Sequence, residues 1–219
     1  MASSGVSESA SIGLMGGTFD PIHIGHLILA QEAREQFQLD EVLFVPAREP
    51  PHKPGQVEAS AEDRLQMVKL AVEDDEYFVC SRVELDRAGP SYTIDTIREI
   101  RRLLGESARV YLILGADEAR NLMGWRDPYG VQALATVVVA DRPGCTFQAA
   151  ARRLPEDLAR KLVRLKMPGI GISSTEIRER VRTGRPIRYL VPPDVERYIL
   201  ENGLYKEKRH ELRERVREL

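Results

Sequence analysis

The sequence predicts an α/β domain in which a parallel sheet is wound on both faces by helices and finished by C-terminal helices. Six short apolar runs recur along the 219 residues, separated by longer amphipathic stretches. Several runs lack the polar alternation of a half-exposed strand, as expected where helices cover both faces. The first run ends in a glycine pair and leads directly into a helix, which is where an open α/β sheet receives anionic ligands. Alternating strands and helices with right-handed crossovers then give a doubly wound sheet.

Strands are expected at residues 11–16 (SIGLMG), 41–46 (EVLFVP), 77–81 (YFVCS), 109–115 (RVYLILG), 135–140 (ATVVVA) and 161–167 (KLVRLKM). Helices are expected at 25–38, 61–73, 91–104 and 116–122; in the first, Leu27, Ala30, Ala33 or Arg34, and Phe37 fall at helical spacing. In GISSTEIRERVRTG, Ser173 as N-cap and Glu176 three residues on make a capping box, and Gly184 stops the helix. VPPDVERYILENG, 191–203, is a further helix with proline in its first turn and Gly203 at its end. The expected organisation is therefore a disordered N-terminus over 1–10, one domain over 11–205 and a charged helical tail over 206–219, either solvated or partner-binding.

Thirty-two Lys and Arg balance 34 Asp and Glu for a net charge of −2, so no basic field recommends nucleic acid as a partner. No segment approaches the ~20 apolar residues that span a bilayer, and the start lacks a secretory pattern, so a soluble, cytoplasmic protein is expected. Cys80 and Cys145 lie far apart and in no metal spacing, which fits packing roles in a reducing compartment.

The chemistry concentrates in GGTFDPIHIGH. Gly16 and Gly17 let backbone N–H groups approach phosphate oxygens, and Pro21 stiffens the turn. A helix starting near Gly25 aims its positive end at the same place. His23 and His26, three apart on the first turn, can present both rings to one side, where a nearby phosphate would favour their charged forms. Zinc on His23, His26 and Asp20 is a weaker reading, because no cysteine completes a closed site. HIGH is also the ATP-site signature of class I aminoacyl-tRNA synthetases, but their KMSKS loop and tRNA-binding domains have no counterpart here.

GGTFDPIHIGH, PPHK around His52 and Lys53, PSYTIDT at 90–96, LGAD at 114–117, Trp125, DRPG at 141–144, ISSTEIR at 172–178 and IRYLVPPDVERYILENGLY at 187–205 occur in this order. Together they resemble the bacterial nicotinate mononucleotide adenylyltransferases of the HxGH nucleotidyltransferase superfamily. The resemblance implies a Rossmann-like fold, ATP and nicotinate mononucleotide as partners, Mg²⁺ carried mainly by the ATP phosphates, and homo-oligomerisation left open. It also implies that Gly16, Gly17, Thr18, Phe19, Gly115, Asp117, Ser173, Ser174, Thr175 and Arg178 bind ATP. His23 and His26 would be catalytic and hold its phosphates. His52, Lys53, Thr93, Trp125 and Arg142 would meet the acceptor, with Trp125 stacking on the pyridine ring. Pantetheine-phosphate adenylyltransferase, which is shorter and usually lacks the SYTIDT and PPHK pair, is the alternative within this chemistry. A nucleotide sensor that has lost catalysis is the alternative outside it.

Overall fold

A computed structural model describes residues 9–50 and 55–206. The elements run β1 (Ser11–Gly17), α1 (Ile24–Phe37), β2 (Glu41–Pro46), α2 (Ala61–Val72), β3 (Phe78–Cys80), α3 (Thr93–Leu104), β4 (Arg109–Gly115) and α4 (Ala116–Ala119). They continue through a 3₁₀ turn (Leu122–Gly124), α5 (Pro128–Leu134), β5 (Thr136–Ala140), α6 (Phe147–Ala151), α7 (Glu156–Ala159), β6 (Val163–Leu165), α8 (Ser174–Arg182) and α9 (Pro193–Glu201). The N-terminal segment 1–8 and the tail from 207, like His52 and Lys53, lie outside the described residues.

All six expected strands form one parallel sheet in the order β3-β2-β1-β4-β5-β6. The two-residue period of a strand explains why their sequences are apolar throughout. Along β1, Leu14 packs into one core and Met15 into the other; along β4, Leu112 and Leu114 oppose Ile113; along β5, Val137 and Val139 oppose Val138. Helices α1, α2, α8 and α9 supply Leu29, Met67, Val68, Ile177, Val195 and Ile199 to the Met15 face. Helices α3 to α7 supply Ile94, Ile97, Val131, Ala150 and Leu158 to the other. The sheet is therefore doubly wound. Its direction of growth reverses between β1 and β4, so their C-terminal ends, Gly17 and Gly115, flank the crevice of such a fold.

Three differences from the expected elements have local causes. The helix expected over 116–122 is one turn, α4, followed by the 3₁₀ turn ending at Gly124. Helices α5, α6 and α7 are only 7, 5 and 4 residues long, too short for a periodic signal. In α8, Ser173 Oγ accepts from Glu176 N–H at 3.2 Å, whereas the Glu176 carboxylate accepts from Arg180, one turn on.

Candidate active site

The loop leaving β1 turns through Phe19 at φ +50 and a cis Asp20–Pro21 bond before α1 begins at Ile24. His23 is thus the N-cap, in extended conformation, and His26 the third residue of the helix. This explains the three-residue spacing in mechanical terms. His26 Nδ1 accepts the His23 backbone N–H at 3.2 Å, a polar group that the helix start would otherwise leave unpaired. A neutral His26 therefore carries its proton on Nε2. The rings stack with centroids 3.7 Å apart and planes 21° from parallel. Gly25 makes room for this pair, because a Cβ there would stand 3.1 Å from His23 Nδ1.

His23 is only 1% exposed, and its Nδ1 is buried without a hydrogen-bond partner. Burial first, and the nearby Arg142 guanidinium second, lower its pKa to about 3. In the protein alone His23 is therefore neutral at physiological pH and can donate only one hydrogen bond.

The C-terminal helices hold this loop from outside. Ser174 Oγ donates to the Pro21 carbonyl at 2.9 Å, Arg178 Nη1 to the Asp20 carbonyl at 2.8 Å, and Ile24 N–H to the Leu190 carbonyl at 2.9 Å. Tyr205 donates its hydroxyl to Asp20 Oδ1 at 2.8 Å; burial and that carboxylate raise the phenol's pKa and keep its proton in place. Asp20 also accepts from the Glu58 and Ala59 backbone N–H groups, at 2.9 and 3.1 Å. Arg178 Nε donates to Glu58 Oε1 at 2.7 Å, and Arg182 grips the same carboxylate.

Two cavities open at the switch point. The first, of about 300 Å³, is lined by the Gly16–Asp20 loop, both histidines, Gly115, Asp117, Arg142 and the α8 start from Ser173 to Thr175 with Arg178. Every residue expected on the ATP side is gathered there, with two helix N-termini facing one space. At its edge a Cβ on Gly115 would lie 2.5 Å from Asp117 Oδ1 and 3.2 Å from Arg142 Cγ, so a larger residue there would displace these two side chains. Arg142 Nε stands 3.8 Å from Asp117 Oδ1. Arg142, expected with the acceptor group, is thus on the histidine side.

The second cavity, about 130 Å³, is lined by Ala47, Glu84, Ser91, Tyr92, Thr93, Leu112, Leu114, Trp125 and Arg126. It shares Gly16, Gly17, Thr18 and Glu118 with the first. Thr93 opens α3, and Trp125, half-buried after the 3₁₀ turn, packs partly on the adjacent core while facing this cavity. Arg64 and Tyr205 have no signature in the sequence, because their partners are backbone carbonyls or a residue far along the chain.

A six-stranded parallel sheet with an anion-suited crevice at its switch point, fed by paired histidines and two helix starts, defines a nucleotidyltransferase-type α/β protein. A profile of the cytidylyltransferase-like family matches residues 14–180. A Thermus thermophilus protein described as a probable nicotinate-nucleotide adenylyltransferase is 49% identical over 195 residues, covering 89% of this chain and 99% of that protein. A protein from Desulfitobacterium hafniense, described in the same words, is 43% identical over 198 residues, covering 89% and 95%. In fold, the chain is similar to Plasmodium falciparum nicotinic acid mononucleotide adenylyltransferase complexed with NaAD, with a TM-score of 0.72 at 18% identity over 90% of this chain and 97% of that one. The chain belongs to the nicotinate-nucleotide adenylyltransferases, within the cytidylyltransferase-like family.

Proposed function

We propose that the protein transfers the adenylyl group of ATP to nicotinate mononucleotide, giving deamido-NAD and pyrophosphate in the cytoplasm. A 5′-phosphate oxygen of the mononucleotide attacks the ATP α-phosphorus, a new P–O bond forms, and the bond to the β-phosphate bridging oxygen breaks. The observation that carries this reading is the pair of cavities with one wall in common, Gly16 to Thr18. A triphosphate in the histidine cleft and a pyridine ring beside Trp125 would meet across that wall.

No covalent enzyme intermediate is needed, so the protein's contribution is placement and charge. Holding two reactants in line can supply roughly 7–11 kcal/mol of barrier reduction. In this reading His26 donates from Nε2 to the oxygens that gain charge, and neutral His23 packs behind it and donates once. Ser173 to Thr175 and Arg178 hold the phosphates from the opposite side, and Asp117 binds ribose hydroxyls or orders the cleft. Arg142 contacts phosphate from the histidine side, whereas Thr93 and Trp125 meet the acceptor ring. Among the described residues no group of three or more His, Cys, Asp or Glu side chains is placed to hold a metal ion. Mg²⁺ would enter on the ATP phosphates, whose hard oxygens suit it, and would supply charge neutralisation for the departing pyrophosphate.

Pyrophosphate release from ATP and Mg²⁺ should be measured with nicotinate mononucleotide, nicotinamide mononucleotide or 4′-phosphopantetheine as acceptor. Fast release with nicotinate mononucleotide is expected. Release only with one of the other two acceptors, or with none of the three, would remove the proposed reaction while leaving the fold intact.

A further inference from the structure

Arg64 lies in α2, outside both cavities, yet only 2% of it is exposed. Among the described residues its guanidinium forms no ion pair with a carboxylate; it donates instead to backbone carbonyls from three separate stretches of chain. Nη1 donates to Thr18 O at 2.8 Å and Ala47 O at 2.7 Å, Nη2 to Arg48 O at 3.3 Å, and Nε to Ala59 O at 3.4 Å. Burial lowers the pKa of the group, opposed by the field of Asp20, and burying a charge against neutral acceptors is costly. Carbonyls converging from different directions are what a rigid planar fork can satisfy and an apolar side chain cannot.

Each carbonyl belongs to a piece of the two cavities or their supports. Thr18 is in the shared wall, and Ala47 lines the Trp125 cavity. The Arg48 N–H donates to Ser91 Oγ at 3.0 Å, and the Ser91 N–H to Glu49 O at 3.1 Å, which carries the connection to the loop that ends at Thr93. Ala59 is held from the other side by its N–H to Asp20 Oδ1 at 3.1 Å, in the histidine loop. One side chain therefore ties the histidine loop, the shared wall and the acceptor loop together.

We infer that Arg64 is a positioning residue that sets the two bound substrates in register without touching either. This rests on the adenylyl-transfer reading above. Since a misplacement of about 1 Å can cost ~100-fold in rate, the effect falls on turnover rather than on binding of either substrate.

Arg64→Met and Arg64→Lys should be compared with the wild-type protein in steady-state pyrophosphate release with nicotinate mononucleotide, at temperatures well below each variant's melting point. Equilibrium binding of ATP and of the acceptor should be measured separately. The expected result is a fall in kcat of about 100-fold for Arg64→Met, with each separate affinity changed less than about threefold. Arg64→Lys keeps the charge but not the fork, and should recover stability more than turnover. Wild-type kcat in a folded but less stable variant would overturn the inference, as would a loss confined to KM, full rescue by lysine, or failure of both variants to fold. An inactive wild-type protein would instead overturn the reaction itself.

Discussion

The two cavities share a wall but are held in different ways. The histidine cleft is assembled by hydrogen bonds between distant segments: Ser174 to Pro21, Arg178 to Asp20, Tyr205 to Asp20 and Ile24 to Leu190. The Trp125 cavity is walled by apolar packing against Leu112 and Leu114 and by nearby polar contacts, such as Arg126 over the Tyr92 ring and its 3.5 Å pair with Asp95. The first arrangement suits groups that must not move while charge builds on a phosphoryl oxygen. The second suits a ring recognised by shape and stacking. Changes in the histidine cleft should therefore act on turnover and ATP, and changes around Trp125 on the acceptor.

The largest effect should come from His26→Ala. We expect kcat to fall ~10²- to 10⁴-fold with ATP affinity nearly intact, because the lost interaction strengthens only as charge develops. Near-normal turnover would end the distinction between the two cavities.

His23 tests the same cleft by pH. Its folded-state pKa of about 3 lies below the ordinary histidine value of 6.5, so between those two pH values the unfolded chain binds the extra proton. The folded state consequently loses stability as pH falls through this window, by on the order of 5 kcal/mol in full, and gains nothing further above it. His23→Asn should remove that component, leaving a flatter denaturation profile between pH 6.5 and about 4 than the wild type; parallel profiles would count against a buried neutral ring.

Arg178→Ala should raise the KM for ATP roughly 10- to 100-fold while sparing the acceptor, the scale of one lost charge-assisted hydrogen bond. Equal losses for both substrates would mean that its grip on Asp20 and Glu58 matters more than any phosphate contact. Trp125→Ala should weaken the acceptor alone, by about tenfold, as expected for one lost stacking partner. A matching rise in the KM for ATP would dissolve the boundary between the cavities.

This contrast also governs what could be read from sequence. The six strands were legible because both faces of each are covered, leaving uninterrupted apolar runs such as ATVVVA. His23 and His26 were legible because N-cap and third helical position are adjacent in one motif, and the ISSTEIR start followed from its cap. Arg64 was not, since its partners are carbonyls of Thr18, Ala47, Arg48 and Ala59, and a carbonyl leaves no mark in an amino-acid sequence. Nor was the side of the site on which Arg142 falls, which is decided by how β5 sits beside β4. Helices α5 to α7 are too short to leave a periodic pattern, although Asp127 followed by Pro128 is a legible N-cap and first-turn pair.

The bond from Tyr205 to Asp20 joins residues 185 positions apart. A ribosome adding ~5–20 residues per second takes roughly 10–40 s to travel that distance. For that interval the nascent chain carries the histidine motif without the residues that hold it, so the competent site is assembled only after nearly all of the described chain has been made.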